Sequence, residues 1–214
     1  MNDLADRRRE EKERRRDEIL DAAAAVVTEI GYDKLTMGLV AQVARVSRAL
    51  VYTYFADTQD LQWGLCERAL DQLHLRFVAG SQGRLAGRDQ LDAMGTAYIA
   101  FAQEEPVYFE ALARFEAQSG QGTTADAQTD TCLAGADRLH RVMTDAIRLG
   151  ISDGSIRTDV GDPDVVATVL WGFMHGVIQL VATKHQVLGF RGITPQQLFA
   201  QASAMALASM RGTP

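Results

Sequence analysis

Cysteine is scarce in this chain. Cys66 and Cys132 are the only two, far apart, with no CxxC pair and no histidine–cysteine cluster near either. That pattern excludes a disulfide framework and a zinc-ribbon site, and two buried, reduced thiols are the expectation. The four histidines, His74, His140, His175 and His185, show neither HxxxH nor HExxH spacing, so neither a metal nor a cofactor is expected. Only four prolines interrupt an alanine-rich chain. No segment alternates apolar and polar residues between hairpin turns, which argues against strands. No uninterrupted apolar run reaches the ~18 residues of a membrane span, and the N-terminus is polar and charged where a secretory leader would be apolar. A cytoplasmic protein without a membrane partner is the expectation. No Ser/His/Asp or Cys/His arrangement and no phosphate loop is visible, so an enzyme is the reading the sequence supports least.

What is present is helical. The 214 residues are 47% hydrophobic, enough to bury a core in one or two domains. The net charge of −6 looks wrong for a nucleic-acid binder, but placement matters more than the total. Residues 7–16, RRREEKERRR, hold seven basic and three acidic side chains, and Lys34, Arg45 and Arg48 stand without an acid between Lys34 and Phe55. Two readings of the basic stretch stay open. It is an arm that lies on phosphates or in a minor groove, or a solvated helical extension held by Glu–Arg pairs at i,i+4. Residues 1–8 are expected to be disordered, with the first helix starting near Arg14.

The segment Thr36–Phe55, TMGLVAQVARVSRALVYTYF, is the most informative. Thr36 suits an N-cap. Leu39, Val40 and Val43 recur at helical spacing and are expected to face a core, and small Ala41 permits close packing. Arg45 and Val46 fall in a turn, Ser47 can cap a second helix, and Val51 and Phe55 point inward from it. Arg48, Ala49, Leu50, Tyr52 and Thr53 are left largely outside. This is a helix-turn-helix whose second helix can enter a major groove. Arginine reaches guanine in bidentate fashion, small apolar groups meet a thymine methyl, and tyrosine hydroxyls bond phosphates.

The longer run REEKERRRDEILDAAAAVVTEIGYDKLTMGLVAQVARVSRALVYTYFADTQDL resembles the N-terminal DNA-binding domain of the TetR (tetracycline repressor) family of transcriptional regulators. ILDAA, EIGYDKLTM, VAQVARVS and VYTYF carry the likeness. By position, the resemblance implies DNA contacts from Arg48, Ala49, Leu50, Tyr52, Thr53 and Tyr54, with Thr36 near a phosphate. Three positions depart from the family pattern. Arg45 stands where glycine is usual, so a turn that needs positive φ is strained there by about 1 kcal/mol, or the turn differs slightly and Arg45 reaches the backbone. Ala49 replaces a frequent glycine, and Thr58 replaces a frequent lysine.

Beyond this segment the chain reads as further helices: a fourth to about Ala79, a loop over 80–89, a fifth to Pro106, a sixth over 107–118, a loop over 119–124, and a seventh over 125–150. A connector, an eighth helix over 163–185 and a ninth over 195–210 complete it. The fold class is therefore all-α, with about nine helices. It has a basic arm (1–13), a three-helix helix-turn-helix domain (14–56), and a C-terminal helical bundle for ligand binding and dimerisation (57–214). The eighth helix is apolar nearly all round, with Val165, Val169, Phe173, Val177 and Val181 on one stripe and Val166, Leu170, Met174 and Ile178 on the next. Such a helix must be covered on every side, one of them by a partner chain. The ninth offers Leu198, Ala202 and Met205, so the two helices are expected to pair with their copies as a four-helix interface. LWGFMHG and DGSIR also resemble the regulatory domains of many TetR-family members, which implies a ligand pocket within the bundle.

Aromatic and sulfur-bearing side chains concentrate in the central helices. Tyr98, Phe101, Tyr108, Phe109, Met143, Trp171, Met174 and His175 are the candidate effector contacts. The combined reading is a homodimeric, sequence-specific regulator of double-stranded DNA, a repressor released from a palindromic operator by a small molecule. The alternative is a helical small-molecule-binding dimer with weak or lost DNA binding.

Overall fold

The computed structural model describes residues 3–119 and 127–212. Among them are ten α-helices, a 3-10 turn at Tyr32–Lys34, and one isolated β-bridge between Ile156 and Arg211. The helices are α1 (Asp3–Ile30), α2 (Met37–Val43), α3 (Arg48–Tyr54), α4 (Thr58–Ser81), α5 (Gly87–Glu104), α6 (Pro106–Ser119), α7 (Ala127–Asp153), α8 (Pro163–Thr183), α9 (His185–Phe190) and α10 (Pro195–Met210). The loop expected over 119–124 lies almost wholly outside the described residues.

Two expectations about the elements are corrected. The first helix begins at Asp3 rather than near Arg14. Its exposed early turns are laced by ion pairs one turn apart, Arg9 to Asp6 (3.2 Å), Arg14 to Glu11 (2.6 Å) and Arg15 to Glu18 (2.6 Å), and such pairs support a helix in water. The added helix is α9, which buries only Leu188 among its six residues and is too short to show a period.

The chain divides into two compact units, Met1–Ala69 with Pro106–Leu133, and Leu70–Glu105 with Ala134–Pro214. Both α4 and α7 run from one unit into the other. The first unit is larger than the segment 14–56, because the early turns of α4 and all of α6 are fastened to the helix-turn-helix. Leu61, Leu65, Cys66 and Ala69 of α4 are fully buried with Ile19, Leu20 and Ala23 of α1. The Tyr32 hydroxyl donates to the Val107 carbonyl (2.9 Å), and Arg114 bonds Asp33 (2.9 Å) while its guanidinium lies 4.9 Å from the centre of the Tyr32 ring.

The second unit is a bundle of α5, α7, α8 and α10 with the end of α4. Its core joins Leu91, Met94, Tyr98 and Phe101 to Leu139, Met143 and Ile147, to Ala167, Met174 and Ile178, and to Phe199, Ala202 and Met210. Gly87 starts α5 directly against α7, where a Cβ would collide with the Ala146 carbonyl and the Gly150 backbone. The Gly87 N–H, an orphan donor at the helix start, is satisfied by Asp153 (2.8 Å). Asp162 with Pro163 starts α8, and a reciprocal Thr194–Gln197 capping box starts α10.

Helix α8 is not covered on every side within the chain. Ala167, Met174, His175 and Ile178 are buried, whereas Val165 and Val169 are more than 60% exposed and Phe173 and Leu180 about 40%. By length and composition α8 could cross a membrane, with a mean hydropathy of 1.8.

Candidate nucleic-acid interface and ligand cavity

The helix-turn-helix is built by local chemistry. The Thr36 hydroxyl accepts from the Leu39 N–H (3.3 Å) and caps α2. At the other end of α2, the Val46 N–H donates to the Ala41 carbonyl (3.0 Å) and the Arg45 N–H to the Gln42 carbonyl (3.2 Å). These are the paired bonds of a Schellman motif, and they require the residue between helix and turn to be left-handed. That residue is Arg45, at φ 55°, the one described non-glycine residue with positive φ. Ser47 then caps α3 by accepting from the Leu50 N–H (3.1 Å).

Helix α3 turns Val51 and Phe55 fully inward. Arg48, Ala49, Tyr52 and Thr53 are exposed, and Leu50 and Tyr54 are half-buried. Arg48 donates to the Tyr52 hydroxyl (3.2 Å) and lies 5.6 Å from the centre of its ring, so the two side chains form one polar ledge. The Thr53 hydroxyl donates to the Ala49 carbonyl (3.1 Å). Val43, expected in the core, is 47% exposed. The inward face of α2 is set by Met37, Val40 and Ala41, and Val43 lies off it.

The recognition helix is held from behind. At Gly64 of α4 a Cβ would stand 2.9 Å from both Leu20 and Phe55, so glycine lets α4 approach α1 and the end of α3. Arg16 lies 5.4 Å from the centre of the Phe55 ring and donates to Glu67 (2.6 Å). Arg68 bonds Asp17 (2.8 Å), Asp21 and the Tyr108 hydroxyl (3.3 Å). Burial opposes its charge, but the bonds to Tyr108, Asp17 and Asp21 prevail and hold its pKa above the ordinary guanidinium range.

The second unit contains an apolar cavity of about 60 Å³, walled by Phe77 of α4, Leu91, Met94 and Tyr98 of α5, Met143 of α7, Leu170, Trp171 and Met174 of α8, and Ser203, Ala206, Leu207 and Met210 of α10. Of the expected effector contacts, Tyr98, Met143, Trp171 and Met174 come together there. His175 stands behind the wall, buried, with Nδ1 2.6 Å from the Tyr98 hydroxyl. Burial holds its pKa below the usual imidazole value. Three expected contacts lie elsewhere. Phe101 is fully buried, with the Arg76 guanidinium 5.4 Å from the centre of its ring, and Tyr108 and Phe109 belong to the first unit. The α10 wall escaped the sequence reading, which assigned that helix wholly to dimerisation. Its signal was the set 203, 206, 207 and 210 at helical spacing, away from exposed Met205.

On the open side, Val169, Phe173 and Met205 are exposed, and Val177 and Leu198 are half-buried. Ala202, expected on that side too, is 4% exposed within its own chain. It lies on the inward side of α10 with Phe199.

A capped helix-turn-helix with an exposed Arg–Tyr ledge, joined to an all-helical body with an apolar cavity, defines a class of protein: a DNA-binding regulator with a separate effector domain. Comparison with known proteins agrees. Residues 19–62 match the bacterial regulatory proteins of the tetR family, and residues 91–205 match the tetracyclin repressor-like C-terminal domain. The chain belongs to the TetR family of bacterial transcriptional regulators. No curated protein matches it in sequence. Solved structures share its fold. A putative transcriptional regulator from Saccharomonospora viridis in complex with choline has a TM-score of 0.75 at 19% identity, over 92% of this chain and 98% of that one. The fatty acid degradation regulator FadR from Bacillus halodurans has 0.70 at 14%, over 92% and 97%. The ketosteroid transcriptional regulator KstR2 of Mycobacterium tuberculosis has 0.64 at 20%, over 93% and 96%.

Proposed function

We propose that this protein is a repressor that holds a palindromic operator as a homodimer and is released by an apolar small molecule. The cavity of the second unit is the observation that carries the reading. Its wall is hydrocarbon, aromatic and thioether, and Asp92, its one acidic side chain, is exposed. Such a wall favours an acyl chain or an alicyclic ring, in line with the fatty acid and ketosteroid regulators among the relatives. A quaternary ammonium such as the choline of the Saccharomonospora protein would meet the aromatic rings of Phe77, Tyr98 and Trp171 there, but no buried carboxylate.

The size of the cavity supports the mechanism. At about 60 Å³ it is far smaller than the roughly 300–1,000 Å³ of a pocket that holds a drug-sized ligand. A larger effector fits only a conformation in which the bundle helices have parted, and it therefore favours that conformation by its differential affinity. Helix α4 carries Phe77, in the cavity wall, and Gly64, against Phe55 at the end of α3. It is the natural lever between effector and recognition helix. The open stripe of α8, with exposed Gly172 and Gly176 beside Val169 and Phe173, supports pairing with a second copy.

The test is selection of binding sites from random duplexes by the purified protein at near-physiological salt. An inverted repeat is expected, lost on replacing Arg48 or Tyr52 by Ala. A long-chain fatty acid or a ketosteroid should raise the thermal midpoint and release the duplex, and choline should do neither. A folded dimer that enriches no sequence would overturn this reading in favour of an effector-binding dimer without an operator, which the strained Arg45 turn would then explain.

A further inference from the structure

The early turns of α1 gather five of the seven basic side chains of residues 7–16 on one face, with Arg7 and Arg14 among the acids on the other. At 100° per residue, Arg8, Arg9, Lys12, Arg15 and Arg16 fall within roughly 120° of arc, and Asp6, Glu10, Glu11, Glu13 and Glu18 lie outside it. Lys12 sits at the centre: the residues three and four positions away on either side are Arg8, Arg9, Arg15 and Arg16. Like charges at that spacing destabilise a helix. The rim of the arc is neutralised, since Arg9 meets Asp6, Arg15 meets Glu18 and Arg16 meets Glu67. Among the described residues, no acidic side chain lies within 4.0 Å of the Arg8 or Lys12 cations. Both are exposed.

The same arc continues, later in α1, as the buried stripe of Ile19, Ala23 and Val26. The face that packs inside the headpiece thus becomes basic where the helix outruns it. Its last basic residue touches the recognition helix, because Arg16 lies over the ring of Phe55, which closes α3. Lys12 and Arg8 follow on the same stripe about 6 and 12 Å further along the axis, at 1.5 Å per residue.

We infer that the N-terminal turns of α1 are a second DNA-contact element, in which Arg8 and Lys12 bind the phosphodiester backbone beside the groove that α3 enters. The inference rests on the DNA-binding reading above. A polyanion relieves the repulsion around Lys12 without breaking an ion pair, because neither cation has one to give up among the described residues. These contacts add affinity and carry no sequence information.

The test uses the full chain as R8A/K12A, against wild type and against R141A/R191A, which removes the same net charge from the second unit. Alanine is the best helix former, and circular dichroism checks that α1 persists. Wild-type enrichment of an inverted repeat establishes DNA binding independently. With that operator, R8A/K12A should bind at least tenfold more weakly at 100 mM salt and select the same sequence. The slope of log K against log salt should become shallower by about 0.9 for each phosphate lost, and R141A/R191A should keep the wild-type slope. A wild-type slope for R8A/K12A would overturn the inference, and so would a changed consensus. So would binding of wild type, but not R8A/K12A, to phosphatidylserine vesicles with operator affinity equal in both.

Discussion

Arg45 holds a left-handed conformation that costs a non-glycine residue roughly 1–2 kcal/mol, and the Schellman bonds around it leave no alternative. Strain of this kind persists where it serves a site, and Arg45 is an exposed cation in the turn that leads into α3. R45G should remove the strain, less the entropy that glycine adds to the unfolded chain. The expected net effect is a rise in thermal midpoint of up to about 4 °C, with weaker operator binding and a salt slope shallower by about 1 per chain. Unchanged DNA affinity would show that the arginine contacts nothing. His175 poses the opposite case, a group whose charged form the fold disfavours. Burial lowers its pKa below the unfolded value of about 6.5, so in acid the unfolded chain binds the extra proton first. Stability is full above about pH 6.5 and declines as pH falls from there towards the lowered value. Urea unfolding between pH 7.5 and 5 should show that decline in wild type and a flatter profile in H175Q, which keeps a polar partner for the Tyr98 hydroxyl. Equal profiles would exclude His175 as the source.

Among the elements, α4 and α3 meet at Gly64, where two effects oppose each other. Alanine favours the helix by about 1 kcal/mol over glycine. Its Cβ, 2.9 Å from Leu20 and Phe55, overpacks a closed core at a typical cost of about 1–3 kcal/mol. Overpacking should win, and Phe55 should move, taking the end of α3 with it. G64A is therefore expected to lose more operator affinity than stability, measured by titration and thermal unfolding of the same preparation. Equal losses would mean that α3 does not depend on this contact. Such contacts are what the sequence reading missed. The caps Thr36 and Ser47 and the inward pair Val51 and Phe55 were legible, because capping and periodicity are local. The early start of α1 was half legible, since Glu–Arg pairs at helical spacing made a solvated helical extension one of two readings of the basic stretch, and no apolar period marked where it begins. Six-residue α9 lacks a period. The cavity joins residues from five helices, and no local pattern separates Tyr98, in its wall, from Phe101, packed elsewhere in the core.

For the whole molecule, the open stripe of α8 is the feature that most needs an explanation. Val165, Val169, Phe173 and Leu180 on α8, with Met205 on α10, are exposed together, and an apolar patch of that kind marks an interaction surface. A second copy accounts for it economically, because in a two-fold interface the same patch supplies both sides. The symmetry also sharpens the test, since each substitution enters the interface twice. V169E/F173E would bury four carboxylates without partners, a large penalty, at positions that each chain leaves exposed on its own. The variant should therefore fold with wild-type helicity and sediment as a monomer at micromolar concentration. A monomer presents one recognition helix, and its affinity for the inverted repeat should fall at least 100-fold, the lower end of what linking two sites provides, while its affinity for a half-site stays the same. A variant that remained dimeric would place the interface elsewhere. A monomer that still held the full operator as tightly as wild type would overturn the pairing of two headpieces on DNA, and with it the palindrome.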